Sequence, residues 1–423
     1  MYAKTIFAGA VILLVLISCG ESSGEGVPLG TISEIPKKTL VSSVNAAVEA
    51  LLFVDAETQN PLNAGEYILR NADGSETQFF NYVILSYAYL EKQRGYLSVT
   101  LTPSLKAILD NSVKYLKPLK EKGIKIVIEI RSGVFSDAEP GAQTGFGTMD
   151  VASIQNLITS LKALITEYGV DGFDFNDAGG GERAYPPYTE YLKQFQSDTP
   201  LYQERLFQDG DGNRLSEDII TAKLWREGGS NFSNLLQMTN ENLKENYTWT
   251  LKNGSAKDTN TSKLFIRSIL CHDTNHGRYL LDYLRNEYMP DAYSGADQSI
   301  AGNVRYIIHD TGWDQAYRHA SLFYESENRD AGAERDARYA PFAVDLQNRP
   351  DNETALSWAE AFLQGDDPDY ADGRNDTSKY GALVFSNLPA VSDAGYDVAE
   401  YLSLFSQTLF GCSAELSSGG NYR

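Results

Sequence analysis

The chain is short of cationic side chains. It has 36 Lys and Arg against 57 Asp and Glu, a formal charge of −21. Such a surface repels phosphate backbones, which argues against nucleic acid as a partner. Cysteine is also scarce: Cys19, Cys271 and Cys412 are the only three. One internal pair is conceivable in an oxidising compartment. The element order below places Cys271 and Cys412 at opposite ends of the fold, so buried free thiols are expected. There is no phosphate-binding glycine loop, no nucleophile elbow and no internal repeat. The N-terminal apolar run, Ile6 to Ile17, is too short for a transmembrane helix. What remains is a chain with 42% hydrophobic and 22% charged residues, enough to bury a sizeable core. Its 423 residues suit an α/β barrel with insertions.

The first twenty residues, "MYAKTIFAGAVILLVLISCG", carry one Lys, an apolar stretch and then Cys19. A short charged region followed by an apolar one is a secretory signal. The Cys at its end resembles a bacterial lipobox, in which Cys19 would be lipidated and become the new N-terminus. A plain signal peptide is the competing reading. Residues 1–18 are therefore expected to be a lipoprotein signal peptide. Residues 19–44, with the polar "GESSGEGVPLG", are expected to be a flexible tether. The globular part is expected over 45–412, with a tail at 413–423.

From residue 45 short apolar runs alternate with helix-like stretches. Strands are expected at 50–54, 81–87, 124–130, 170–175, 263–270, 304–309, 342–346 and 381–386. Most are near-continuous apolar runs, as in strands covered on both faces. Helices are expected between them. "PSLKAILDNSVKYLKPLKEKG" ends at Gly123, and "MDVASIQNLITSLKALITEYG" starts at an Asp150 cap and ends at Gly169. "SNFSNLLQMTNENLKENY", "NETALSWAEAFLQG" and "DVAEYLSLFSQTLFG" repeat the pattern. Eight strands alternating with helices imply an α/β (β/α)8 TIM barrel. Long insertions follow the fourth strand (183–229) and the sixth (311–340). In such a barrel they sit on the C-terminal face, where sites are built.

The most informative stretch is "GVDGFDFNDAGGGE", Gly169 to Glu182. Strand alternation puts Gly172, Asp174, Asn176 and Ala178 on one face and Phe173 and Phe175 on the other. The two Phe suit packing outward against helices. Asp174 and Asn176 then point into the barrel near its top. An inward acid is costly unless hydrogen-bonded or in use.

"YGVDGFDFND" resembles the fourth-strand motif of family-18 glycoside hydrolases, D-x-x-D-x-D-x-E, most closely the endoglycosidase F and H type. "FVDAETQNPLNAGEYILRNADGSETQFFNYVILSYAYL" and "YGALVFSNLPAVSDAGYDVAEYLSLFSQTLFG" resemble that type's first two strands and its last strand and helix. The resemblance spans about residues 48 to 411. It implies substrate-assisted hydrolysis, outside the two-carboxylate pattern. The sugar's acetamido group attacks its own anomeric carbon. A Glu at the motif's end protonates the leaving oxygen, and the Asp two residues earlier orients the acetamide.

Laid on this chain, the motif falls on Asp171, Asp174, Asn176 and Ala178. The orienting Asp is Asn176 and the acid Glu is Ala178. Ala donates no proton, and loss of a general acid removes a factor of about 10² to 10⁴ in rate. Asp177 has the wrong strand parity to substitute. Glu182, beyond a triple-glycine run, could fold back as a relocated acid or be a solvated loop charge. The sixth strand offers His309, Asp310 and Trp313 where the family has a Tyr. Ser386 and Asn387 stand where the eighth strand has a Tyr-Asn pair.

Sugar binding can survive these losses, because aromatic faces stack on sugar rings. Tyr87, Tyr89, Tyr185, Tyr188 and Trp313 are the aromatic candidates, with Asp174, Asn176 and Asn387 as polar ones. "DGDGNRLSEDI" lacks the Gly and Glu of a calcium loop and reads as a turn. His272, Asp273 and His276 read as an ordinary polar loop. No metal and no cofactor are expected. The resulting expectation is a lipid-anchored barrel that binds N-acetylglucosamine-containing glycans, such as N-glycans of glycoproteins. It would sit on the outer membrane or cell surface of a Bacteroidetes-type bacterium, beside glycan importers and active glycosidases. The alternatives are an active endo-β-N-acetylglucosaminidase using Glu182 and an adhesion lipoprotein with no sugar site.

Overall fold

The computed structural model describes residues 48–93, 96–131, 146, 149, 151–176, 210–213, 235–243, 246–252, 254, 259–263, 270–273, 305–309, 339–340, 343–364 and 381–417. The signal, the tether and most of both long insertions lie outside the described residues, as do Cys19, Ala178, Glu182, Tyr185, Tyr188 and Trp313; of the insertions only 210–213 and 339–340 are described.

The main sheet is built from strands β1 (Glu49–Asp55), β2 (Tyr82–Gln93), β3 (Lys125–Arg131), β4 (Gly172–Asn176), β5 (Leu270–Asp273), β6 (Tyr306–His309) and β8 (Ala382–Ser386). The seventh strand, β7, comes in two pieces, Tyr339–Ala340 and Ala343–Asp345. The first piece pairs parallel with β6 and the second parallel with β8. The remaining pairs run β1–β2–β3–β4–β5–β6 and β8–β1, all parallel. The two ends of the sheet are thus two pieces of one strand, with only two residues between them in sequence. That separation spans roughly 10 Å at most, so the sheet closes on itself as a (β/α)8 barrel.

Alternation sorts the side chains. Leu51, Tyr82, Ile84, Val127, Tyr306, Ile308, Ala340, Ala382 and Val384 form one buried apolar cluster, with members from β1, β2, β3, β6, β7 and β8. They are the inward residues of the barrel's lower and middle layers. Phe173 and Phe175 are fully buried on the opposite face of β4, and Phe175 meets Phe146 edge to face at 5.6 Å. At the base, Glu49 accepts hydrogen bonds from Arg305, at 2.9 Å, and from the Tyr306 hydroxyl. Burial, then Glu49, pushes the Tyr82 and Tyr306 phenols up.

Helices Val151–Tyr168, Asn352–Gln364 and Val398–Phe410 fall where the sequence pattern places them. Residues 103–121 differ from the single helix expected: they form three pieces, Pro103–Asp110, Ser112–Tyr115 and Lys117–Glu121. The first break is at Asn111, whose backbone leaves the helical region at φ −110 and ψ 40 and whose side chain donates to the Ala107 carbonyl. Asn competes with the helix through such local bonds. Pro118, in the third piece, lacks the N–H that would continue the ladder. The described part of the fifth strand is Leu270–Asp273, and Thr259–Lys263 pairs antiparallel with Asn246–Thr250; residues 264–269 of the strand expected at 263–270 lie outside the described residues.

The expected C-terminal tail begins as a strand. Ser413–Leu416 pairs antiparallel with Tyr67–Arg70, which pairs with Glu76–Gln78, making a small three-stranded sheet. Cys412 is a buried free thiol whose pKa is raised by burial. Cys271 lies on β5.

Candidate functional site

The upper interior of the barrel is polar. Parity that makes Val127 inward makes Glu129 and Arg131 inward as well, and the register pairs Glu129 with Asp174 and Arg131 with Asn176. Neighbouring strands lie roughly 4.8 Å apart, so these four side chains share one patch at the C-terminal end of β3 and β4. Asp174 is 0% exposed, Glu129 1% and Asn176 4%. Ser86 joins them from β2, where the register slips between Leu85 and Ala88.

Glu129 is the hub. Its Oε1 accepts from Arg131 Nε at 3.0 Å and from Asn176 Nδ2, and its Oε2 accepts from Arg131 at 3.1 Å and from the Ser86 hydroxyl. Arg131 therefore grips the carboxylate in fork geometry. On its other side the guanidinium lies over the Tyr87 ring, 4.2 Å from the centroid. Burial alone lowers the Arg131 pKa, but Glu129, then Tyr87 and Asp174, outweigh it and hold the guanidinium above its ordinary range. Among the described residues, the patch holds one cation, Arg131, and two carboxylate side chains, Glu129 and Asp174.

The sequence candidates fall into different places. Asp174 and Asn176 lie in this patch, with Tyr87 half-buried at its rim and Tyr89 half-buried one step further along β2. Asp171 lies at the opposite end of the barrel. Its Oδ2 accepts from Lys120 Nζ at 2.6 Å and from the Ile126 N–H at 2.8 Å, so it ties the starts of β3 and β4 together. Asn387, just past β8, turns the chain with a positive φ of 54. Its side chain donates to Asp345. Burial raises Asp345, but hydrogen bonds from Asn348, Asn387 and Gln347 outweigh it and hold the carboxyl below its usual range. Among the described residues, no three His, Cys, Asp or Glu side chains are grouped to hold a metal.

Ser86, Glu129 and Arg131 were not singled out from the sequence. The signal was there for one of them: a Glu inside "IKIVIEI" is a charge in a strand covered on both faces, at an inward position.

No family model matches the chain. Endo-beta-N-acetylglucosaminidase F1 of Elizabethkingia meningoseptica is 25% identical over 153 residues, which is 36% of this chain and 42% of that relative. The fold is of the family-18 endo-β-N-acetylglucosaminidase type. Bacteroides thetaiotamicron EndoBT-3987 in complex with Man9GlcNAc2Asn substrate is 13% identical, with 88% of this chain and 68% of that chain covered at a TM-score of 0.49. The Ostrinia furnacalis Group II chitinase catalytic domain 2 is 10% identical, with 87% and 98% covered at a TM-score of 0.47. Against the D-x-x-D-x-D-x-E motif of this family-18-type barrel, Asp171 is a strand tie at the base. Asp174 and Asn176 stand at the mouth, in a cluster organised by Glu129.

Proposed function

We propose that this family-18-type barrel is a glycan-binding lipoprotein that recognises N-acetylglucosamine-containing glycans, N-glycans in particular, and does not hydrolyse them. One observation carries the reading: the polar cluster at the top of the barrel, in which Ser86, Glu129, Asp174 and Asn176 are buried and Arg131 is half-buried. Burying charges in a barrel costs several kcal/mol per ion unless they are paired. The apolar layers beneath already supply a core, so the cluster is not needed to close the fold. It is suited to holding a polar ligand, with the Tyr87 ring beside it for a sugar face. Its chemistry lacks the family's acid, since Ala178 stands in that position, and Asn176 brings no charge to stabilise a cationic intermediate. The similarity to endo-beta-N-acetylglucosaminidase F1 supports the ligand class. In this reading Cys19 carries a lipid that anchors the mature chain at the outer membrane, where glycan importers and active glycosidases would be its partners.

The test is intact-mass spectrometry of a glycoprotein panel after long incubation with excess mature protein, with binding to the same glycoproteins measured alongside. Unchanged mass, with binding that disappears when the glycoproteins are deglycosylated beforehand, is expected. Glycan loss that leaves one N-acetylglucosamine on Asn would overturn the non-catalytic reading. Glu182→Gln would then show whether Glu182 is a relocated acid.

A further inference from the structure

We infer that Glu129 is a positioning residue that fixes which end of the Asn176 amide faces the pocket. The two oxygens of Glu129 receive four donors: two from Arg131, one from Ser86 and one from Asn176. An ionised carboxylate can only accept, so the Asn176 NH2 must face it and the carbonyl oxygen must turn away. That oxygen is buried and has no hydrogen-bond partner among the described residues. A buried acceptor left alone is costly, and a ligand N–H or O–H offsets the cost. Position 176 therefore offers the hydrogen-bonding polarity of an Asp without its charge. Its ligand group is a neutral donor, and an oxocarbenium or oxazolinium cation gains little there. The same geometry couples the two positions. A carboxylate at position 176 would set acceptor against acceptor, and one of the two carboxyls would have to bind a proton.

The ligand part rests on the glycan-binding reading; the coupling of 129 to 176 does not. Among the described side chains, the other groups facing the pair are Ser86 and Tyr87 on β2, Arg131 on β3 and Asp174 on β4. His272 on β5 pairs through its backbone with Asn176. All are common to the variants below, so their own titration cancels in a double-mutant cycle.

The experiment uses the mature chain as wild type, N176D, E129Q and N176D/E129Q, with melting temperatures at pH 5 and pH 8. In N176D a carboxyl is held with a pKa above its unfolded value, so the destabilisation grows as pH rises above the unfolded value. A larger loss at pH 8 than at pH 5 is expected. The double variant should recover most of that loss, because the new amide at position 129 can donate to the new carboxylate at position 176. A pH-independent loss in N176D, or a double variant that is merely additive, overturns the coupling. Titration calorimetry with N,N′-diacetylchitobiose supplies the second readout. E129Q frees the amide to turn and should weaken the probe about tenfold, one hydrogen bond's worth. Unchanged affinity in E129Q overturns the positioning role. A wild type that ignores the probe while the pH-dependent coupling stands counts against the glycan reading alone.

Discussion

Asp171 and Asp174 are three residues apart and do opposite work, because the strand carries one to the base of the barrel and the other to its mouth. Asp171 is a tie between strand starts, 17% exposed at its side chain and paired with a Lys120 side chain that is 13% exposed. Removing it takes one acceptor from Lys120 and leaves the buried Ile126 N–H without its side-chain acceptor, a loss of about 1–3 kcal/mol. Asp171→Ala should therefore lower the unfolding free energy by that amount in urea denaturation and leave glycan affinity unchanged. A fall in affinity with stability intact would place Asp171 in the binding site instead. Asn176 differs from the family's Asp by a single amide, yet that amide is what a neighbouring carboxylate on β3 requires.

At the scale of elements, local signals decide where helices begin and end. Helix Val398–Phe410 starts at Asp397, whose side chain accepts the Glu400 N–H at 3.0 Å, and stops at Gly411 with φ 67. Its buried face carries Phe405 against Phe385 of β8 at 5.4 Å. The Ser403 hydroxyl bonds both the N–H and the carbonyl of Ala414, fastening the small antiparallel sheet to this helix. Asp397→Ala removes the cap and should cost about 1 kcal/mol, read as a lower midpoint with an unchanged denaturant slope. A changed slope would mean that the helix end unfolds on its own.

For the whole molecule, closure depends on β7, which meets β6 with one piece and β8 with the other. The surface carries the acidic excess, with a formal charge of −21. Self-repulsion of that size weakens the compact state and is screened by salt, with a Debye length of about 10 Å at 0.1 M. The melting temperature should rise when sodium chloride goes from about 10 to about 200 mM, and the protein should pass through a heparin or DNA column at the lower salt. Retention on either column would reveal a basic surface that the charge balance does not suggest.

The alternation of strands and helices, the eight-strand count and the inward parity of Asp174 and Asn176 are legible in the order of residues alone. These are properties of consecutive residues: a period of two along a strand, a cap and a glycine at the ends of a helix. The sequence also shows that the motif lacks its terminal acid. Tertiary structure decided the rest. The neighbours of β5 are set by parallel pairing with β4 and β6. That Asp171 serves Lys120 follows only when the starts of two strands are brought together. Glu129 meets Asn176 across 47 residues of sequence. No local rule names that partner. Parallel strands acquire their neighbours through a crossover, and the register of β2, β3 and β4 sets Glu129, Arg131, Ser86 and Asn176 in one cluster.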